Sequence, residues 1–174
     1  MVLHTRNLSM KKQSGVTLIE LLIVIVIIGI LASIGVMYYK GPQQRARDSR
    51  RKSDLGQIAS SLEMYRANND DYPNSNSGLI VGCGSSGTPT DCTWDGVSSW
   101  TQTNSAGNPV VYMKTLPQDP HYPTSGYIYI RVTGVGVNNY YLCANLENPN
   151  DADLDETLWT SRCSGSYNYG REAP

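Results

Sequence analysis

The sequence predicts an α+β fold in which one long N-terminal helix, a membrane half followed by an amphipathic half, packs on a small antiparallel β-sheet. Three observations carry this expectation. From Gly15 to Tyr39 the chain reads GVTLIELLIVIVIIGILASIGVMYY, with no charged side chain between Glu20 and Lys40, and at ~1.5 Å per residue that stretch can cross a hydrocarbon core of ~30 Å. Further on, Leu55, Ile58, Ala59, Leu62 and Tyr65 recur at helical spacing as one apolar stripe. Later still, YIYIRVT (Tyr127 to Thr133) and NYYLCANL (Asn139 to Leu146) are rich in β-formers and flank glycines at Gly134 and Gly136, a hairpin signal.

By composition the chain divides into a leader of residues 1–15, an apolar helix of 16–39 and an exported domain of 40–174 that includes the amphipathic half of the helix. The leader, MVLHTRNLSMKKQSG, is basic and ends in the small residue Gly15, the pattern of a processing signal. Glu20 stands in the first turn or so of the apolar helix, where a carboxylate in lipid costs roughly 2.5–3.5 kcal/mol, so it needs a partner. The nearest positive charge is the amino terminus that a cut after Gly15 creates at Val16, and in an assembly the amine of one copy can meet Glu20 of the next. A snorkelling Glu20 that only reaches the headgroups is the alternative.

Pro42, after Gly41, removes a backbone donor, so a kink or softened turn is expected around Tyr38. Helical pattern then resumes, with Asp48 and Lys52, and Arg50 and Asp54, at i,i+4 spacing. It ends at the turn formers Asn68 to Pro73, giving a helix on the order of 80 Å overall. The formal net charge is −1, but Lys40, Arg45, Arg47, Arg50, Arg51 and Lys52 cluster just past the apolar segment. They read as a solvated or headgroup-facing helix surface. Nucleic-acid contact is the sharper alternative and is unsupported, because no aromatic residue is interleaved for base stacking.

From Asn74 to Asn108 the chain is rich in Gly, Ser, Thr and Asn, and little regular structure is expected; Trp94 and Trp100 read as local anchors. Val110 to Pro120 is ambiguous between a helical turn and a strand. One face of Tyr127 to Thr133, either Ile128 and Ile130 or their tyrosine neighbours, should cover the helix stripe. A third strand is expected over Leu158 to Cys163. All four cysteines, Cys83, Cys92, Cys143 and Cys163, follow the apolar segment, with no Cys/His spacing that suggests zinc. Two disulfides in an oxidising compartment are expected; of three connectivities, the sequence-local one, Cys83 with Cys92 and Cys143 with Cys163, is preferred to the others and to four reduced thiols.

The run KKQSG followed by VTLIELLIVIVIIGILAS resembles the class III signal of type IV pilins and of the pseudopilins of type II secretion systems. The resemblance implies that a prepilin peptidase cuts between Gly15 and Val16 and methylates the new amino terminus, and that Glu20 is the family's glutamate that follows four residues later. Val16 stands where phenylalanine is usual, and Met37 where many members have proline. The resemblance covers about the first seventy residues by motif, and SLEMYRANNDDYP, LPQDP and YIYI extend it by pattern.

No catalytic constellation is present, so an enzyme is not expected; His121 stands alone near prolines. Asp151, Asp153 and Asp155, with Glu147, Asn150 and Glu156 close by, offer hard oxygen ligands that suit calcium. The EF-hand register fails, since Glu156 takes the glycine position and Arg162 that of the bidentate glutamate; some pseudopilins carry a C-terminal loop calcium, and a solvated acidic loop or short helix start is the alternative. The expected function is structural: a subunit held in the bilayer, N-terminus cytoplasmic and C-terminal domain outside, then polymerised with copies of itself into a helical filament, extracellular or periplasmic, by an inner-membrane assembly platform. A type II secretion pseudopilin, or a pilin serving DNA uptake or adhesion, are the alternatives.

Overall fold

Helix α1 spans Leu18–Asn69, and different forces hold its two ends. The computed structural model describes residues 15–83, 90–103, 107–134 and 137–174, without the side chains of 35–39 and 137. Residues 1–14 of the leader and Gly136 of the expected turn lie outside these, as does the side chain of Tyr38; the helix assignment itself runs through Pro42. The chain forms two compact units, Met1–Lys40 and Gly41–Pro174.

In the first unit the helix is built largely from Val and Ile, which lose side-chain freedom in a helix and have no propensity reason to form one in water. An apolar surrounding reverses that balance, because only a helix satisfies every backbone N–H and C=O within the segment. In the second unit α1 turns one face inward. Asp48, Arg51, Asp54, Leu55, Ile58, Ser61 and Leu62 are all buried, a set that follows the i, i+3, i+4 rule. The helix closes at Asp70, whose φ of 59° is left-handed and whose N–H donates to the Arg66 carbonyl at 2.8 Å, a C-terminal cap.

Three antiparallel sheets follow. Strands β1 (Ser75–Asn76), β2 (Leu79–Cys83) and β3 (Thr90–Cys92) form the first, β4 (Trp100–Thr103) and β5 (Pro109–Met113) the second. The third is the expected hairpin, β6 (Ile128–Gly134) and β7 (Val137–Ala144), extended by β8 (Tyr169–Glu172) in the order β6-β7-β8. The result is α+β, a helix packed with small antiparallel sheets. The tyrosine face of β6 covers the helix: Tyr127, Tyr129, Tyr140 and Leu142 join Leu55, Ile58 and Leu62 in one core, with Trp100 stacked on Tyr65 at 5.3 Å between centroids. Each such aliphatic side chain contributes about 1.5–3 kcal/mol on burial.

Two expectations are corrected. Residues 74–108 hold four short strands rather than irregular loop, and strands of two to five residues leave too little alternation to read in a Gly/Ser-rich background. Leu158 to Cys163 is not a strand but part of α2 (Glu156–Cys163). Asp155 accepts from the Leu158 N–H as its N-cap, Glu156 sits in its first turn and Arg162 in its last, all favourable to the helix dipole. The third strand is β8, and Gly170 makes room for α2. A Cβ there would meet the Trp159 ring at 2.6 Å and the Leu142 carbonyl at 2.7 Å. Ile128 and Ile130 pack on that side, against Trp159 and Cys143.

Cys83 bonds Cys92, tying β2 to β3, and Cys143 bonds Cys163, tying β7 to α2, with sequence separations of 9 and 20. Closing loops of that length contributes roughly 2–4 kcal/mol each.

Candidate assembly and processing site

Gly15 is exposed and Val16 is 76% exposed, so the bond between them is open to a peptidase. Immediately after it comes a feature the charge argument overlooked. Thr17 N–H and Thr17 Oγ1 both donate to Glu20 Oε2, at 2.8 and 2.7 Å, and Glu20 N–H lies 3.3 Å from Thr17 Oγ1. This is a capping box, threonine at the N-cap and glutamate three residues on, which satisfies two backbone donors at the start of α1. Thr17-Leu18-Ile19-Glu20 ahead of an apolar run is its sequence signature, and it was legible. The box orients Glu20 without consuming it, since both side-chain and backbone donors of Thr17 converge on Oε2.

Beyond Glu20, residues 21–34 offer apolar side chains on every side, from Val24 at 49% exposed to Leu31 at 63%. A helix apolar all round belongs in lipid or among other helices. Among the described residues no helix is long and apolar enough to cross a membrane; the apolar sequence continues through 35–39, whose side chains lie outside the description.

In the second unit the basic cluster is only in part a solvated surface, and this corrects the sequence reading for Arg51, Arg47 and Lys52. Arg51 is fully buried: Nε and Nη2 donate to both oxygens of Asp119 at 2.7 and 2.9 Å, and Nη1 donates to Asp48 at 2.8 Å. Nη1 also lies 2.8 Å from Glu147. Arg47 grips Glu147 with two bonds, at 2.8 and 2.5 Å. Burial works against the Arg51 charge, but hydrogen bonds to Asp119, Glu147 and Asp48 outweigh it and raise its pKa. The Arg47 hydrogen bond chiefly, helped by Arg51 against a burial cost, holds the Glu147 carboxyl down at about 2. Asp48 also accepts the backbone N–H groups of Glu147 and Asn148 at 2.9 and 2.8 Å, closing the network. Arg45 and Arg50 remain exposed, and Arg50 keeps its expected ion pair with Asp54 at 3.8 Å. The charges of Arg47, Arg51 and Lys52 are thus paired with carboxylates of the same unit.

This network makes acid stability predictable. Glu147 ordinarily titrates near 4.5 and is held at about 2 in the fold, so the stability it contributes is complete above pH 4.5 and is lost as pH falls towards 2. Asp71, held down by the Arg131 hydrogen bond, acts in the same direction; Asp54, pushed up chiefly by burial, offsets part of it. The melting temperature should fall between pH 4.5 and 2, less steeply for Glu147→Gln relative to its own value at neutral pH. A wild-type curve flat to pH 2.5 would contradict this.

The three aspartates assigned to calcium are not gathered around one point. Asp151 Oδ1 and Asp153 Oδ2 close on Lys52 Nζ, at 2.5 and 2.6 Å, with the Tyr169 ring 5.6 Å away. Lys52 therefore reaches the loop rather than Asp48. Asp155 is engaged elsewhere, as the α2 cap. Calcium takes six to eight oxygens, and among the described residues no three His, Cys, Asp or Glu side chains form such a group. His121 is mostly exposed, 3.8 Å from Glu147.

Comparison with known proteins agrees with this arrangement. The profile of the prokaryotic N-terminal methylation motif matches residues 10–36, the span that holds Gly15, Val16 and the capping box. Type II secretion system core protein G of Escherichia coli is 43% identical over 68 residues, 39% of this chain and 47% of that protein. The core protein G of Pseudomonas aeruginosa is 35% identical over 111 residues, 63% of this chain and 69% of that protein, and that of Klebsiella michiganensis 34% over 113 residues, 63% and 69%. The chain spans about half the length of the first curated relatives it matches, 47% and 48%. No solved structure matches it. With a methylation motif at its start and 35% identity across an aligned stretch that covers 69% of a relative's length, the chain belongs to the type II secretion system core protein G family of pilin-like proteins.

Proposed function

We propose that this chain is a structural subunit of a pilus-like filament. It is made as a prepilin, cut between Gly15 and Val16, methylated on Val16 and polymerised through its apolar helix, and it is not an enzyme. The observation that carries the proposal is the segment after Glu20, apolar on every side and uncovered, in a chain whose other unit buries a core of its own. Before assembly, residues 16–39 sit in the bilayer with the N-terminus cytoplasmic and the domain of 40–174 outside. The sequence-local disulfides, which require an oxidising compartment, support that orientation. In the filament the same helices exchange lipid for one another, and a repeated head-to-tail interface gives an open fibre. The relatives' names favour a filament of type II secretion over a surface pilus. Rupturing cells by shear and fractionating by sedimentation tests this: the protein should appear in filamentous material when the whole assembly set is expressed, and recovery only as dispersed monomer would contradict it.

We propose further that Lys52 supplies the positive charge of the loop at Asp151 and Asp153, in the place the sequence reading gave to calcium. Millimolar calcium should then move the melting temperature of the intact chain by no more than about 1 °C relative to chelator, by the mass-action rule for a ligand of the native state. Lys52→Met, which bares the aspartate pair, should melt lower and regain part of the loss in calcium. A large calcium shift in the unaltered chain would overturn the assignment.

A further inference from the structure

The second unit holds a cleft that neither the assembly helix nor the ion network uses. It encloses about 640 Å³ between the loop of residues 122–127, the turn at 93–95 and the turn of 164–167 that follows α2, a size usual for small-ligand sites. Its walls are aromatic. Trp94 lies edge-on to Tyr127, 6.2 Å between centroids, and Tyr167 is half-buried, its hydroxyl pushed up by burial alone. Tyr122 projects at the mouth, 62% exposed.

The polar groups in the cleft are uncharged, apart from Asp95, and that carboxylate is already occupied. It accepts from the N–H groups of Val97 and Ser98 at 2.8 and 2.6 Å and from the hydroxyls of Thr93 and Ser98 at 2.8 and 2.5 Å. These bonds hold its pKa well below the usual carboxylate range. An anionic ligand would therefore find no counter-ion, and a cationic one only a carboxylate whose oxygens already accept four hydrogen bonds. A purely apolar one would strip water from the Asn145 amide and the hydroxyls of Thr124, Ser164 and Ser166, which line the cleft, at a cost of roughly 1–3 kcal/mol for each group left unpaired.

The ligand that fits both constraints is neutral, carries many hydroxyls and has apolar faces that lie flat on aromatic rings. We propose that this cleft binds a neutral saccharide chain, with Tyr122 and Tyr167 as the stacking surfaces and Asn145 as the amide that hydrogen-bonds its hydroxyls. The site does not depend on the filament reading, because every residue in it lies in the folded unit after Gly41.

The test uses the full chain in a zwitterionic detergent, since a sugar-headed detergent would compete. Chitotriose, cellotriose and maltotriose are titrated separately and followed by saturation-transfer NMR and calorimetry, beside an uncharged Ser/Gly/Tyr peptide of similar size. At least one trisaccharide should saturate, with transfer strongest to its ring protons. Tyr122→Ala, at an exposed position, should weaken that binding about tenfold, the worth of one lost aromatic contact, without changing the melting temperature; Val111→Ala, exposed on β5, should leave it unchanged. Absence of saturation by all three sugars, equal affinity in Tyr122→Ala, or preference for the peptide would each overturn the proposal.

Discussion

Arg51→Met should lower the unfolding free energy of the folded unit by about 3–5 kcal/mol, the usual cost of removing one partner from a buried ionic network. The cost arises mainly from what is left behind. Asp119 is fully buried at its side chain and receives two of the Arg51 bonds, and it would retain only the His121 N–H at 2.7 Å and a long contact from Ser125. Removing the stranded charge should therefore recover part of the loss: Arg51→Met with Asp119→Leu should be more stable than Arg51→Met alone, because two apolar groups replace two charges that both required desolvation. Urea unfolding followed by circular dichroism measures both. A single-mutant loss under about 1 kcal/mol would mean that Arg51 is solvated in solution and the network is not formed.

Glu20→Gln should act on assembly and leave the fold alone. Amide and carboxyl have similar size, and the glutamine can still complete the box with Thr17, so membrane insertion and cleavage after Gly15 should persist. What is lost is the countercharge. In the proposed fibre the amine of Val16 enters an apolar interior beside the Glu20 of a neighbouring copy, and an unpaired ammonium there is strongly unfavourable. Incorporation into sheared filaments should drop at least tenfold, which corresponds to about 1.4 kcal/mol per added subunit. Normal filament yield from a normally processed Glu20→Gln chain would leave helix packing alone to drive assembly.

The parts of this protein legible in the sequence were those with a long period. Leu55, Ile58 and Leu62 announced the helix face because apolar residues repeated over several turns, and Tyr127 to Leu146 announced the hairpin through dense β-formers around glycines. What stayed hidden was hidden for physical reasons. Arg51 and Asp48 continue the buried face, four and seven residues before Leu55, but a charged side chain is assigned to solvent unless its partners are known. Asp119 and Glu147 come from positions far along the chain that only the fold brings together. Helix α2 was misassigned because Leu158 to Cys163 is too short to show a period, although Asp155 ahead of Glu156 was a usable cap signal. The same rule applied at Thr17 would have supplied Glu20 with a partner inside its own chain before any neighbour was invoked.

The measurement that bears most directly on the filament account is the mass of the N-terminal peptide of the protein recovered from sheared filaments. The account predicts a peptide that begins at Val16 and carries one added methyl group on its amine. A filament-derived peptide that still contains Met1 or Lys11 would contradict it, because the uncut leader would leave no amine at Val16 for Glu20 to meet.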